Sequence, residues 1–451
     1  MSNDARAEEI VQCLQEHFND LMQQAPGAFR TKFRKMARDP FAFYRGTACL
    51  FYADISGTTA LDEEMIGEDS GWWGEHGDRI WIQGDLHVEN FGTYMSSDGR
   101  LVFDVNDFDE AYVAPWTWEI RRFACSLALI CWEKALPDRV IDDLIDTYVR
   151  AYAEQVAAFT DHEKIDWALT LDNAQGAVLD TLRSVKLVSH EDFLGGITVV
   201  QDYRREFEST YGEQLDTSTR ENLDQAFAAY QETLAGEPDP RVRFDVLDAV
   251  ALGALGIGSA GLPAYSVLIE GETQALGNDV ILTAKQGQAA ALARVVTDER
   301  IGNAFDHHGH RTAVSQRALQ DHSSPYLGWM EMGGAGFAVS EFSPYEADLS
   351  WDDLTEPDDM QVVVRQLGQA TAKIHCVADD ESGHGLVDVS VEQLITDAIS
   401  DDVDELVAQM TAFAHAYAAQ VRTDHHLFVE AFRAGAFEQV DPLTGEADRQ
   451  Q

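Results

Sequence analysis

The stretch from Gly84 to Glu110 constrains this chain more than any other. Gly84-Asp85-Leu86-His87-Val88-Glu89-Asn90 leads into an apolar run at Phe91–Tyr94, and Leu101–Val105 opens the run that ends Phe103-Asp104-Val105-Asn106-Asp107-Phe108-Asp109-Glu110. Between them stands Ser96-Ser97-Asp98-Gly99, whose Asp and Gly suit a tight reversal. Pairing the runs antiparallel gathers Asp85, Asn90 and the acids around Asp107 at one end of a β-hairpin. Arg79-Ile80-Trp81-Ile82-Gln83 reads as a short strand running into that end.

Residues 5–24 and 41–53 read as helices, the second carrying Phe41, Phe43, Tyr44, Leu50 and Phe51, and 54–77 is loop-rich. From Pro115 to Phe159 the pattern is helical, with Phe123, Leu127, Ile130 and Cys131 spaced for a buried face. Residues 160–235 read as a polar helical insertion. Gly236-Glu237-Pro238-Asp239-Pro240 is the clearest break. Strands follow: a glycine segment, then Tyr265–Ile269, then Asp279–Lys285. Gln361–Cys376 and Leu406–Phe432 read as long amphipathic helices, and the tail from Asp441 as frayed. The expected organisation is α+β: a helix-rich part at 1–235, a β-rich part at 241–345, a helical segment at 346–440 that completes the first, and a tail at 441–451.

Hydrophobic content of 45% and aromatic content of 10% over 451 residues argue for a packed core, so the formal net charge of -47 needs a cause other than disorder. The lysines are only Lys32, Lys35, Lys134, Lys164, Lys186, Lys285 and Lys373. Acids spread along the whole length, with so few lysines, point to solubility in high salt, where self-repulsion is screened, as in a halophile's cytoplasm. Nucleic acid is not expected as a partner, because phosphate backbones need a basic patch. No uninterrupted apolar run approaches membrane-spanning length, and the start Met1-Ser2-Asn3-Asp4 has no signal-peptide character. Cys13, Cys49, Cys125, Cys131 and Cys376 are odd in number and form no CxxC pair, which fits reduced, mostly buried thiols.

The hairpin acids have the types and order that kinase-type phosphoryl transfer needs. Asp85 is the candidate base for an acceptor hydroxyl, and Asn90 and Asp107 are candidate ligands for Mg²⁺, which favours hard oxygen donors. Asp104 and Asp109 read as solvated turn carboxylates, with a second metal ligand at either as the alternative. Gly256-Ile257-Gly258-Ser259-Ala260-Gly261 satisfies G-x-G-x-x-G, but Leu262-Pro263 and a strand follow it where a dinucleotide fold requires a helix. A strand–loop–strand phosphate cover fits better, with a glycine-rich turn in a β-meander as the alternative. Lys285 ends the next strand, where a nucleotide-binding lysine belongs. Asp85-x-His87 lacks the further ligands of a two-metal hydrolase. His307, His308 and His310 are expected at the surface, and Arg45 is expected to pair with an acid. Glu119, in the first turn of the helix that opens at Pro115, is placed to hold the preceding loop.

Phe41–Gly46, Gly84–Gly92, Asp104–Glu110, Trp118–Ser126, the glycine segment, Lys285 and Tyr326-Leu327-Gly328-Trp329 resemble the signatures of domain-of-unknown-function family 2252 over most of the chain. The same residues are similar to aminoglycoside and choline phosphotransferases and their protein-kinase relatives, in which a Gly-Asp-x-x-x-x-Asn loop precedes a hairpin, an Asp-Phe-acid site, and a Pro and an acid opening a helix. That resemblance implies a two-lobed kinase-like fold with ATP and Mg²⁺ as cofactors: Asp85 catalytic, Asn90 and Asp107 on the metal, and Gly256, Gly258, Ser259, Gly261 and Lys285 on the phosphates. Phe337–Phe342, including Glu341, would then enter the nucleotide hinge. Here the catalytic loop precedes the glycine loop, so the implied fold is circularly permuted. The helix at 311–320 offers Gln316 and Arg317 where an active kinase carries a glutamate for its lysine.

The expectation is an ATP- and Mg²⁺-dependent phosphotransferase acting on a hydroxyl of a small-molecule acceptor. Two alternatives stand beside it: a catalytically silent nucleotide sensor or scaffold, and a nucleotidyltransferase on the same scaffold.

Overall fold

The computed structural model describes residues 2–61, 79–161, 165–235, 244–253, 261–320, 322–379, 385–400 and 402–440. The chain opens with α1 (Asn3–Gln24), α2 (Pro26–Met36), α3 (Pro40–Arg45) and α4 (Ala48–Ile55), so the helix expected over 41–53 is two, broken at Gly46-Thr47. The strand β1 (Ile80–Ile82) pairs antiparallel with β4 (Tyr112–Ala114), and between them the hairpin β2 (Phe91–Met95) and β3 (Leu101–Val105) pairs Phe91 with Val105 and Met95 with Leu101.

Next come α5 (Trp116–Glu133) and α6 (Asp138–Phe159), separated at Pro137, which cannot continue a helix from its predecessor. Every residue of α5 from Trp116 to Cys131 is buried. A helix buried on every side lies at the centre of a fold, and α5, with Glu119, Arg121 and Arg122 buried along with its apolar residues, packs against α6 and a long C-terminal helix (Val403–Arg433).

Residues 160–235 depart from the expected polar helical insertion. The strand β5 (Leu169–Thr170) adds to β3, and α7 (Gly176–Lys186) lies beside that hairpin. After them, α8 (His190–Ile197), the hairpin β6 (Thr198–Gln201) and β7 (Arg204–Phe207), β8 (Glu213–Gln214) and α9 (Thr217–Tyr230) belong to a different body. That body is a six-stranded antiparallel sheet that also contains β9 (Val246–Leu252), β10 (Ala264–Ile269), β11 (Val280–Gln286), β12 (Gly328–Met332) and β13 (Ala335–Glu341), in the order β12-β13-β11-β10-β9-β8.

Alternate residues divide its two faces, as the strand period requires. Ala249, Val267, Ile269 and Leu282 pack with Leu223, Phe227 and Tyr230 of α9, whereas Val250, Leu268 and Ile281 pack with Leu194 and Phe207. The β-rich part therefore begins near residue 190, not at 241, because residues 190–234 supply both covers of the sheet. The break expected at 236–240 lies outside the described residues, as does the tail expected at 441–451.

Between β11 and β12 stand the short α10 (Glu299–Gly302) and α11 (His308–Gln320), the latter packed on β13. After β13 the chain runs along the free edge of β2: Thr93 N–H donates to Ala347 O (2.9 Å), Ala347 N–H to Thr93 Oγ1 (3.0 Å) and Leu349 N–H to Phe91 O (2.9 Å). It then enters α12 (Pro357–Cys376), which packs along α6, and ends in α13 (Val391–Ile399) and α14 (Val403–Arg433).

The first and last helices are joined by a buried charge network. Arg6 donates to Asp54 (2.8 and 2.7 Å) and to Asp424 (3.0 and 2.7 Å), and the Tyr417 hydroxyl donates to Asp54 (2.7 Å). Removing the cation alone would leave two buried carboxylates facing each other. Arg6→Met should therefore destabilise the fold by about 3–5 kcal/mol in chemical denaturation, and adding Asp54→Asn and Asp424→Asn should recover most of the loss. A single variant as stable as the parent would show that the network does not hold the two helices together.

Candidate functional site

The loop after β1 is fixed by its backbone. Gly84 has φ +84°, and a Cβ there would lie 2.1 Å from Glu110 O, so the loop and the acidic turn touch main chain to main chain. Its N–H donates to Glu119 Oε1 (2.8 Å). The other oxygen of Glu119 meets His375 Nε2 (2.7 Å), and His375 Nδ1 meets the Tyr152 hydroxyl (2.8 Å), all of it buried. The support expected of Glu119 is thus present and reaches α12 and α6 as well.

Gln83 links the two acidic segments: its Oε1 accepts from Asp85 N–H (2.8 Å), and its Nε2 donates to Asn106 O (3.1 Å) and to Asp107 O. Asn90 Nδ2 donates to Asp85 O (3.0 Å), and Asn90 O accepts from Asn106 N–H (3.1 Å). Among the described residues no donor reaches Asn90 Oδ1, which leaves that oxygen for a cation.

The acids are bracketed by cations. Arg122 donates from Nε (2.8 Å) and Nη2 to the same oxygen of Asp85, Oδ1, so Oδ2 remains for the cleft. The Arg122 guanidinium lies 4.4 Å from the Tyr44 ring centroid and 5.0 Å from that of Phe51. Burial pushes the Asp85 carboxyl up to about 6, against the pull of Arg122. Asp107 sits in left-handed backbone (φ 56°), an uncommon conformation, and its exposed side chain stands in the field of both Asp109 and Lys285.

Lys285 forms an ion pair with Asp109. Burial works against its charge, but Asp109 and Asp107 outweigh that and hold the ammonium well above its ordinary value. Glu110 accepts from Ala291 N–H (2.6 Å), and burial pushes it up to about 7. Arg311, from α11, clamps the turn itself, donating to Ala111 O (2.5 Å), Asp109 O (2.5 Å) and Gln288 O (3.0 Å).

Asp104 is buried and Asp109 half-buried, and each is paired with a cation rather than left as a solvated turn acid. Asp109 carries the pair with Lys285, and Asp104 is buried against Lys373 Nζ (2.6 Å), which also donates to Gln320 O (2.8 Å). A cation brought from another element supplies the partner in each case. Arg45 pairs with Glu89 as expected, and its Nε lies 3.2 Å from His87 Nε2. The histidines at 307–310 are not simply surface groups, because His310 stacks on Trp329 with centroids 4.2 Å apart.

Two cavities meet at the acidic turn. One, of about 320 Å³, opens between the sheet, α11 and the β2–β3 hairpin; Lys285, Gln316, Ser340 and Glu346 line it together with Asp107 and Asp109. The other, of about 30 Å³, is lined by Asp85, Lys32, Arg45 and Glu110, again with Asp107 and Asp109. Glu341 closes β13 opposite Leu282 and is not among the lining residues of either cavity, although Ser340 and Glu346 beside it are. Gly256, Gly258 and Ser259 lie outside the described residues. Gly261 (φ +83°) passes over the start of α2, where a Cβ would lie 2.8 Å from the Ala25 side chain.

Residues 24–431 match the family model described as "Uncharacterized protein conserved in bacteria (DUF2252)". The chain belongs to this family. No curated protein and no solved structure matches it. In this DUF2252 chain the resemblance segments at 41–46, 84–92, 104–110 and 118–126 are the pieces that Glu119, Gln83 and Arg122 tie together.

Sequence reading passed over Arg122, Arg311, Lys32 and Lys373. Lysine scarcity was a usable signal for the last two, whereas the arginine partners depend on which helices meet. Arg122→Met should raise the Asp85 carboxyl above about 6, because burial then acts unopposed. A carboxyl titration followed by NMR that stays in place would show that the pair does not set the charge of Asp85.

Proposed function

We propose that this protein is an ATP- and Mg²⁺-dependent phosphotransferase acting on a hydroxyl of a small molecule, on a two-lobed kinase-like scaffold whose lobes are joined in circularly permuted order. The observation that carries the reading is that Asp107 and Asp109 line both cavities, the larger with Lys285 and the smaller with Asp85. A donor held on the sheet side and an acceptor held at Asp85 would meet across these two carboxylates, as in-line transfer requires.

Further support comes from chain order within the sheet: β9, the glycine segment, β10, the lysine strand β11, α11, then β12 and β13 leading to the connection along β2. That is the sequence of parts in a kinase nucleotide lobe.

Among the described residues no three or more His, Cys, Asp and Glu side chains could hold a metal by themselves. Mg²⁺ takes one or two protein oxygens and completes its shell with water and phosphate, and Asp107 with the free Oδ1 of Asn90 fits that donor set. Bound there, the ion would neutralise charge on the phosphates. Lys285 would hold the phosphates from the sheet side, and Asp85 Oδ2 would take the acceptor's proton.

One observation favours the silent alternative. Lys285 takes its acid from the turn (Asp109), while α11 contributes Arg311 and lines the cleft with Thr312 and Gln316.

The two readings separate in a thermal-shift and turnover experiment at molar KCl with ATP and ATPγS. The phosphotransferase reading expects Mg²⁺-dependent stabilisation by nucleotide that Asp107→Ala abolishes and Lys285→Ala weakens. Asp85→Asn should retain nucleotide binding and lose turnover by about 10²-fold or more. ADP as product marks phosphoryl transfer, and AMP marks nucleotidyl transfer. Absence of stabilisation by any nucleotide would sink both readings, and binding without turnover across a metabolite panel would leave the silent one. Because a base must be ionised to accept a proton, turnover should fall as pH drops through about 6; a flat profile across that range would remove Asp85 as the base.

A further inference from the structure

Lys32 stands apart from the other buried cations. Its residue is 3% exposed, yet among the described residues it makes no hydrogen bond and no ion pair. Its ammonium lies 3.9 Å from the Phe18 ring centroid and 5.6 Å from that of Phe29, so its nearest contacts are ring faces rather than an acceptor. By contrast Arg6, Arg122, Arg205 and Lys373, equally buried, each meet a carboxylate. A buried ammonium without a hydrogen-bonded acceptor is costly, and nearby Asp85 and Glu110 offset that only through space, so the place suits a partner that arrives from outside.

The place is specific. Lys32 comes from α2 and lines the small cavity with Asp85, Arg45, Asp107, Asp109 and Glu110. It therefore approaches Asp85 from the side of the N-terminal helices, while Lys285 reaches Asp109 from the sheet. Burial pulls the Lys32 ammonium down to about 8, against the pull of Cys49, Glu110 and Asp85, so it still carries charge at neutral pH.

We infer that Lys32 is the anion-binding group of the acceptor side, and that the acceptor is a small hydroxy compound bearing a carboxylate or a phosphate. The inference rests on the phosphotransferase reading for the word acceptor; an anion site at Lys32 stands without it. The anionic group would supply Lys32 with its missing partner, and the hydroxyl would then be held toward Asp85 Oδ2. A cavity of about 30 Å³ limits the occupant to a small group in this conformation. Lys32 is in this sense a specificity-determining residue: a neutral alcohol of the same shape would leave the ammonium unpaired.

Full-length protein in molar KCl, saturated with the ATP analogue AMP-PNP and Mg²⁺, would be titrated calorimetrically with inorganic phosphate and, separately, with glycerate and glycerol. Phosphate and glycerate should bind and glycerol should not. Lys32→Met should weaken phosphate by about tenfold or more, as expected for a lost charge-assisted bond, with AMP-PNP affinity unchanged; Lys32→Arg should recover part of it. Lys32→Met should also raise the Tm of the ligand-free protein, because a methionine fills the same apolar corner without a charge. Phosphate binding that is absent from the parent, or equal in Lys32→Met, overturns the inference, as does a lowered Tm with unchanged phosphate affinity. If AMP-PNP fails to bind the parent, the phosphotransferase reading fails instead, and the phosphate titration without nucleotide still decides the anion site.

Discussion

The carboxylate of Glu119 holds the site in place. It is wholly buried and has two partners: the Gly84 N–H on one oxygen and His375 on the other. Charge-assisted bonds of this kind contribute about 1.5–3 kcal/mol each, and the acid also lies in the first turn of α5, where the helix presents unpaired N–H groups. Because Gly84 is pressed against Glu110 O, fixing the loop also fixes the acidic turn, and His375 and Tyr152 carry the same constraint into α12 and α6. Asp85 and Asp107 therefore hold their separation through main chain and buried polar contacts, with no need for a ligand to gather them.

A second constraint is charge. The chain has 32 Lys and Arg against 79 Asp and Glu, yet Arg6, Lys32, Arg122, Arg205, Arg311 and Lys373 are buried. Asp85, Asp104, Asp107, Asp109 and Glu110 crowd one region, and their mutual repulsion would push each of them toward the protonated form. Each cation that reaches the region comes from a different element: Arg122 from α5, Lys285 from β11, Arg311 from α11 and Lys373 from α12. Packing helices and sheet around the hairpin is thus also what makes its acids tolerable. An arrangement that supplied fewer cations would have to neutralise the carboxylates or leave them in water.

What the sequence made legible follows from how local each signal is. The Ser96–Gly99 turn and its flanking runs specify the hairpin through nearest neighbours, and β10, β11, α12 and α14 have a periodicity that their own residues carry. The Gly46-Thr47 break was less visible, because Phe43 and Leu50 keep an apolar pattern running through it. The cover formed by residues 190–234 was not legible, since Leu194, Phe207, Leu223 and Phe227 become apolar contacts only once a distant sheet exists. The same holds for Asp104 and Asp109: in sequence they are turn acids, and only Lys373 and Lys285, more than 100 residues away, make them ion-pair partners. Lysine scarcity marked Lys285, and applied equally it would have marked Lys32 and Lys373.

The pair between Lys285 and Asp109 joins the sheet to the hairpin turn, and it is also the contact that a nucleotide on the proposed reading would have to rearrange. Lys285 cannot give its full charge to a phosphate while it is committed to Asp109, and Asp109 cannot serve a cation while it is committed to Lys285. The two demands are met by one exchange. A phosphate taking Lys285 frees Asp109 beside Asp107, and the freed carboxylate favours a cation at the same turn. On that reading, charge balance would make donor and metal binding mutually reinforcing without movement of the backbone that Glu119, Gln83 and Arg311 hold fixed. On the proposed acceptor side Lys32 has no paired carboxylate to release, so its ammonium gains a hydrogen-bonded partner only from what enters that cavity.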